Sequence, residues 1–266
     1  MKRKIGVVVE SLKLDVKAGI AKAAELGVDG FQMYVTKGET AAENMSADDR
    51  RDFERYVTDQ GIEISALCGD MGKGFLDPNS KDEVIRRSKG FIDLAVDLKV
   101  QIVTTHIGHL PDDENTSEWE VGVETARVLG QYAEDRGRVL ASETGPEPPT
   151  LLKKFLEKVD CPAVMINYDP ANFIMAGPFD HIGGVEVLKD YIVHTHAKDG
   201  VCLLKGKAGE GNRSLEVPLG EGGVAFKYYL KALDDIGYTG YLTIERESGD
   251  DPITDVANAV KFLKGF

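Results

Sequence analysis

Residues 163–199 read AVMINYDPANFIMAGPFDHIGGVEVLKDYIVHTHAKD. Two short runs rich in apolar and β-branched residues, opening at Ala163 and Tyr191, bracket a longer stretch with helical spacing. Runs apolar on both faces suit strands inside a parallel sheet, and a helix between two of them supplies the right-handed crossover that joins them. The alternation extends in both directions, with further strands predicted to open at Lys4, Asp29, Glu63, Gln101, Arg138 and Tyr241. Eight consecutive units predict an α/β fold of the (β/α)8 TIM-barrel type, a parallel eight-stranded barrel inside a ring of helices.

The helix starts are marked chemically. Ser46 with Asp49, Ser80 with Glu83 and Ser117 with Glu120 match the Ser-x-x-acid capping box, which feeds acceptors to the orphan N–H groups of a first turn. Asp251-Pro252 predicts the start of the last helix, and Gly27 and Gly61 predict left-handed stops after the first two. A doubly wound open sheet is the competing fold. Its Gly-rich phosphate turn is missing after the first strand, where the chain reads Val9-Glu10-Ser11-Leu12-Lys13. No linker or composition shift divides the 266 residues, so residues 1–266 are expected to form one barrel domain. One segment breaks the regularity: residues 200–223 carry seven glycines, and a βα insertion of this kind on the catalytic face predicts a lid.

Composition excludes several classes. Apolar residues make up 42% of the chain, which can therefore bury a core without disulfides or structural metal. The formal charge of −13 opposes a phosphate backbone, so nucleic acid is not an expected partner. The apolar run after the basic start, Ile5 to Val9, is too short for a secretory signal, and no run reaches the roughly eighteen residues of a membrane span. Three cysteines, Cys68, Cys161 and Cys202, are odd in number and lack a metal-type spacing. A cytoplasmic protein with free thiols is expected, without a membrane partner and with a homo-oligomer left open.

In a barrel the chemistry sits at the C-terminal ends of the strands. Glu143 ends the fifth predicted strand, Asp169 the sixth, His196 the seventh and Glu245 the eighth. One ligand-grade side chain on each of four successive strands would converge on the barrel axis. Three converging carboxylates repel one another unless a cation joins them, so one divalent ion is expected. An oxygen-rich set with a single imidazole suits Mn2+ best, with Mg2+, Co2+ or Zn2+ as alternatives.

The motifs Ser142-Glu143-Thr144, Asp169-Pro170-Ala171-Asn172, His196-Ala197-Lys198-Asp199, Pro218-Leu219-Gly220-Glu221-Gly222 and Ile244-Glu245-Arg246 carry a resemblance. The chain resembles the xylose-isomerase-like TIM-barrel superfamily of sugar isomerases and epimerases, which also holds inosose dehydratases and a barrel-type apurinic endonuclease. The resemblance implies that Glu143, Asp169, His196 and Glu245 hold one metal ion, and that Glu143 and Glu245 are also the catalytic acid and base. It implies a metal-dependent isomerase or epimerase acting on a ketose or keto-sugar, phosphorylated or not, through an enediolate. An inosose-dehydratase-like lyase and a non-catalytic sugar-binding barrel are the alternatives. Asn172 stands where the ketose 3-epimerases carry a His, and Cys202 where they carry an Arg, with Arg213 the next Arg downstream.

Other polar residues join the expected substrate site. His106 is inward by strand alternation and reads either as a substrate hydrogen-bond donor or as a wall histidine. Lys198, also inward, would polarise a substrate oxygen or neutralise the carboxylates. Asn172 and Arg213 complete the substrate-binding candidates; Lys205 and Lys207 with Arg213 could meet a phosphate, but Glu210, Glu216 and Glu221 cancel their charge within the same segment. His194, one layer below His196, is expected to be a packed core residue, as is Trp119. Glu247 shares the parity of Glu245 and competes for its role.

Overall fold

The computed structural model describes residues 3–177, 179–204 and 213–266. Eight parallel strands close into a barrel: β1 (Lys4–Val8), β2 (Gly30–Tyr34), β3 (Glu63–Cys68), β4 (Ile102–Thr105), β5 (Val139–Glu143), β6 (Val164–Tyr168), β7 (Ile192–Ala197) and β10 (Tyr241–Ile244). Successive strands are neighbours, and β10 returns to pair with β1, so the sheet has no free edge. All eight predicted strands are present, and the chain is a TIM barrel.

The helices lie between the strands: α1 (Val16–Glu25), α2 (Ala47–Gln60), α3 (Lys81–Asp97), α4 (Ser117–Glu134), α5 (Pro149–Val159), α6 (Pro170–Ala176), α7 (Gly183–Val187), α8 (Phe226–Asp235) and α9 (Pro252–Lys264). Their apolar faces pack on the barrel; Trp119 of α4 is fully buried, edge-on to Phe155 of α5 at 5.5 Å. Trp119 is thus a packing residue, as expected. None of the described helices is long and apolar enough to cross a membrane.

Ser46 and Asp49 form the predicted capping box on α2, and Asp251 caps α9 ahead of Pro252. Gly27 and Gly61 both adopt positive φ, at 74° and 71°. Two caps differ. Thr116, not Ser117, caps α4 by accepting the N–H of Trp119, because the helix begins at Ser117, one residue earlier than the Ser-x-x-Glu pattern suggests. Ser80 is already in the helical region and turns its hydroxyl back to donate to the Asp77 carbonyl at 3.3 Å, so it caps nothing.

The glycine-rich insertion contains regular structure. β8 (Asp199–Leu204) and β9 (Arg213–Val217) pair antiparallel as a separate two-stranded sheet. Lys205, Lys207 and Glu210 lie outside the described residues. The hairpin is closed at its base by Asp199. One carboxylate oxygen accepts the N–H groups of Gly200 and Val224 at 2.9 and 3.0 Å, and the other those of Gly220 and Gly222 at 3.0 Å each. A Cβ on Gly222 would collide with that carboxylate, which is why the Pro218–Gly222 motif is built on glycine. Arg246 ties the second hairpin strand to the barrel, bonding Glu216 at 2.7 Å and Asp255 of α9 at 2.8 Å.

Candidate metal centre

Glu143, Asp169, His196 and Glu245 come together at the C-terminal end of the barrel, all buried. Each offers one ligand atom, and these atoms lie within 4.8 Å of one another. Nδ1 of His196 is 3.2 Å from Glu245 Oε2, 3.5 Å from Glu143 Oε1 and 4.0 Å from Asp169 Oδ2. The strands explain the convergence: Glu143 is the last residue of β5, His196 lies in β7, and Asp169 and Glu245 each follow directly on β6 and β10.

The residues fit a divalent cation. Asp169 Oδ2 and His196 Nδ1 are buried with no hydrogen-bond partner among the described residues, although most buried polar atoms in folded proteins have one. The opposite edges of these two side chains are satisfied. Asp169 Oδ1 caps α6 by accepting the Ala171 N–H at 2.8 Å, and Thr144 donates to the Asp169 carbonyl while accepting its N–H. Nε2 of His196 stands 3.1 Å from Gln32 Oε1. Asn167 Nδ2 lies 3.2 Å from the same nitrogen. With the ring proton on Nε2 and donated to Gln32, the Nδ1 lone pair is free for a metal, the usual outer-shell arrangement of a ligating imidazole.

A further chain of hydrogen bonds fixes Glu143. In the barrel register Glu143 stands opposite Asn167, Asn167 opposite His194, and Thr243 opposite His196. Along the inner wall, Thr243 Oγ1 donates to His194 Nε2 at 3.0 Å, His194 Nδ1 donates to Asn167 Oδ1 at 2.9 Å, and Asn167 Nδ2 donates to Glu143 Oε2 at 3.3 Å. Burial pushes His194 down to about 3, helped by the neighbouring His196, so the ring is neutral and its tautomer is set. His194 is the packed core histidine that the sequence predicts. Asn172 Nδ2 donates to the other oxygen of Glu143 at 2.9 Å and to the Thr144 carbonyl at 2.9 Å. Its amide therefore orients the Glu143 carboxylate.

The electrostatics divide the acids. Burial alone would raise Glu143, but the positive charge of His196 and His106 holds it well below the usual carboxylate range. Glu245 is lowered against the same burial by His196 and Lys198. Asp169 goes the other way: burial, with Glu143 and Glu245 nearby, pushes it up to about 7 against the pull of Lys198 and His196. His196 is raised well above its ordinary value by Glu143 and Glu245 despite burial. Both shifts favour a proton on His196 and on Asp169, at the place that a dication would fill.

His106 leans over the cluster, with Nδ1 3.2 Å from Asp70 Oδ2 and Nε2 3.6 Å from Glu143 Oε1; its side chain is 43% exposed. Glu143, opposed by burial and aided by Asp70, pushes it up to about 11. Lys198 Nζ donates to Glu245 Oε2 at 2.9 Å and to Glu247 Oε2 at 2.5 Å. The side chain of Glu247 is 62% exposed, so Glu245 is the acid brought into the cluster. Arg213 is not brought there: it opens β9 opposite Leu204 and is exposed. Sequence reasoning missed Gln32, Asn167 and Asp70. The first two carry a legible signal, a lone amide in an otherwise apolar strand, whereas Asp70 lies in the loop after β3.

The chain belongs to the xylose isomerase-like TIM barrel family, whose model matches residues 20–266. Among curated proteins, it is 27% identical over 172 residues to an inosose dehydratase of Clostridium perfringens, covering 56% of this chain and 55% of that one. It therefore spans about half the length of that relative. A putative L-ribulose-5-phosphate 3-epimerase of Haemophilus influenzae is 24% identical, with 98% of this chain and 96% of the relative covered. A solved xylose isomerase domain protein from Planctomyces limnophilus superposes with a TM-score of 0.86 at 26% identity, covering 100% and 97% of the two chains.

Proposed function

We propose that the protein is a divalent-metal-dependent sugar isomerase or epimerase that acts on a ketose or keto-sugar by proton transfer through an enediolate. The observation that carries this reading is the placement of Glu143 and Glu245 on two sides of one buried cluster, each with an oxygen within 3.5 Å of His196 Nδ1. Glu143, Asp169, His196 and Glu245 would hold the ion, with Mn2+ the best match to three carboxylates and one imidazole and Mg2+, Co2+ or Zn2+ as alternatives. When bound, it polarises a carbonyl and the adjacent hydroxyl and so acidifies the C–H between them.

The protein supplies the proton transfers. Glu143, held by Asn167 and Asn172, removes the proton from one face, and Glu245, held by Lys198, returns one from the other. Return to the same carbon is epimerisation; return to its neighbour is aldose–ketose isomerisation. His106, paired with Asp70 and facing the mouth, donates to a substrate oxygen as charge develops there. Three free cysteines favour a reducing, cytoplasmic setting.

The test is deuterium wash-in from D2O into ketoses by the Mn2+-loaded protein. Exchange is expected, and is lost in Glu143→Gln and in Glu245→Gln; exchange that persists in both variants overturns the mechanism. The similarity to inosose dehydratase favours a second reading, in which Glu143 removes the same proton and a β-hydroxyl leaves. Loss of water by mass, without exchange into recovered substrate, decides for that reaction.

A further inference from the structure

The four cluster residues occupy one half of the barrel, on or directly after β5, β6, β7 and β10. A ligand gripped there must rest its remaining atoms against the other half, formed by β1 to β4. Tyr34 is the last residue of β2, and β2 stands four strands from β6 whichever way the closed barrel is counted. Its strand therefore lies across the axis from the one that leads into Asp169. Side chains alternate along a strand, so Tyr34 turns inward as Gln32 does, one layer nearer the mouth than the Gln32 amide that meets His196. Its backbone is fixed on both sides: Glu10 Oε1 accepts its N–H at 2.9 Å, and Thr40 donates to its carbonyl at 3.1 Å. The residue lines a cavity of about 280 Å3 that Glu245 lines as well. Its hydroxyl has no hydrogen-bond partner among the described residues and, unlike Asp169 Oδ2, is not sealed inside the protein. Burial, with Cys68, Glu245, Glu143 and Asp70 around it, pushes the phenol up, so the group is a neutral donor.

We propose that Tyr34 is a substrate-binding residue, whose hydroxyl donates a hydrogen bond to a sugar hydroxyl beyond the two oxygens taken by the metal. The assignment rests on the sugar-acting reading above. The cationic donors of the site carry carboxylate partners, Lys198 in Glu245 and Glu247 and His106 in Asp70 and Glu143. The Tyr34 hydroxyl carries none. A phenol brings one proton and accepts through its oxygen, which matches a polyol hydroxyl, itself both donor and acceptor. Being neutral, it adds no charge that would compete with a cation for Glu143 and Glu245. Its backbone is already held by Glu10 and Thr40, so little freedom is lost when the bond forms. The contact falls on atoms whose bonds do not change. It is therefore made equally in the ground and transition states, and acts on affinity rather than on the chemical step. A ligand with no hydroxyl beyond the metal-bound pair gains nothing from it, so Tyr34 favours sugars of longer chain.

The experiment titrates the full chain, loaded with Mg2+, with D-fructose, D-tagatose and D-ribulose by ligand-observed NMR. Hydroxyacetone, which has a carbonyl and one adjacent hydroxyl and nothing beyond, is the control. Tyr34→Phe deletes one oxygen and keeps the ring. At least one ketose is expected to bind about 3- to 10-fold more weakly to this variant, the value of one neutral hydrogen bond, while hydroxyacetone binds as before. Unchanged hydroxyacetone affinity also shows that the site of the variant is intact. In an exchange assay the loss should fall on KM and leave kcat nearly intact. Three results overturn the proposal: no ketose binds the parent, Tyr34→Phe binds every ketose as the parent does, or ketoses and hydroxyacetone lose affinity together, which would make Tyr34 a packing residue. Tyr34-dependent binding without deuterium exchange would sink the reaction and spare the contact. Exchange that keeps its KM in Tyr34→Phe would do the reverse.

Discussion

Nε2 of His196 meets Oε1 of Gln32 at 3.1 Å across the barrel interior, joining β7 to β2. As an acceptor, Gln32 favours the tautomer that turns the Nδ1 lone pair toward Glu143, Asp169 and Glu245. Gln32→Leu keeps the volume and removes the acceptor. Mn2+ affinity, measured by calorimetry, is expected to drop about 10- to 100-fold, the usual effect of losing an outer-shell partner. Affinity equal to the parent would show that the imidazole needs no such support.

Asn172 predicts a different signature. Its amide aims one oxygen of Glu143, so Asn172→Ala frees the carboxylate to rotate while Asn167 still holds the other oxygen. We expect turnover to fall by about 10- to 100-fold, as for loss of one positioning hydrogen bond to a charged group, with little change in KM. A change confined to KM would make Asn172 a substrate contact instead.

The cluster gives metal binding a pH dependence of definite sign. Asp169, raised to about 7, is mostly protonated at pH 6, and His196 is protonated too. A cation requires both in their proton-free forms, so binding at pH 6 releases protons, and affinity climbs as pH rises toward about 7. Calorimetry of the EDTA-treated protein in two buffers of different ionisation enthalpy reads this directly. Identical heats in the two buffers would refute it.

Two structural variants test the frame. Trp119→Ala empties a buried site against Phe155 and should cost about 3–5 kcal/mol, lowering Tm by roughly 10 °C in a chain of this size.

Gly222→Ala forces a methyl against the Asp199 carboxylate. Limited proteolysis should then cut faster within residues 199–223 while the barrel keeps its Tm to within a few degrees. A global loss of stability would mean that the hairpin base belongs to the barrel core.

The barrel was legible because its strands are apolar on both faces and its helices announce their ends with Ser, Asp, Pro and Gly, signals that are local in sequence. The four cluster residues were legible for a related reason: a polar side chain at the end of an apolar strand has one place to go in this fold. The hairpin was not. Gly200 and the glycines around it mask the strand character of β8 and β9, and the pairing depends on Asp199 reaching across to Gly220, Gly222 and Val224. Gln32 and Asn167 escaped notice because their partners are set by barrel closure and register: 164 residues separate Gln32 from His196. Glu10 lies in a stretch whose only sequence signal is the lack of a phosphate turn's glycines, and nothing in Val9-Glu10-Ser11 announces a carboxylate whose second oxygen has no hydrogen-bond partner among the described residues.

Asp199 has a consequence for how such a protein diversifies. Because one carboxylate gathers four backbone N–H groups at the base of the hairpin, the two ends of the insertion are held together whatever lies between them. Doubling the length of a flexible loop between fixed ends costs only about 0.6 kcal/mol in closure entropy. The hairpin above Asp199 is therefore an exchangeable cassette, open to replacement in the laboratory while Glu143, Asp169, His196 and Glu245 stay in register.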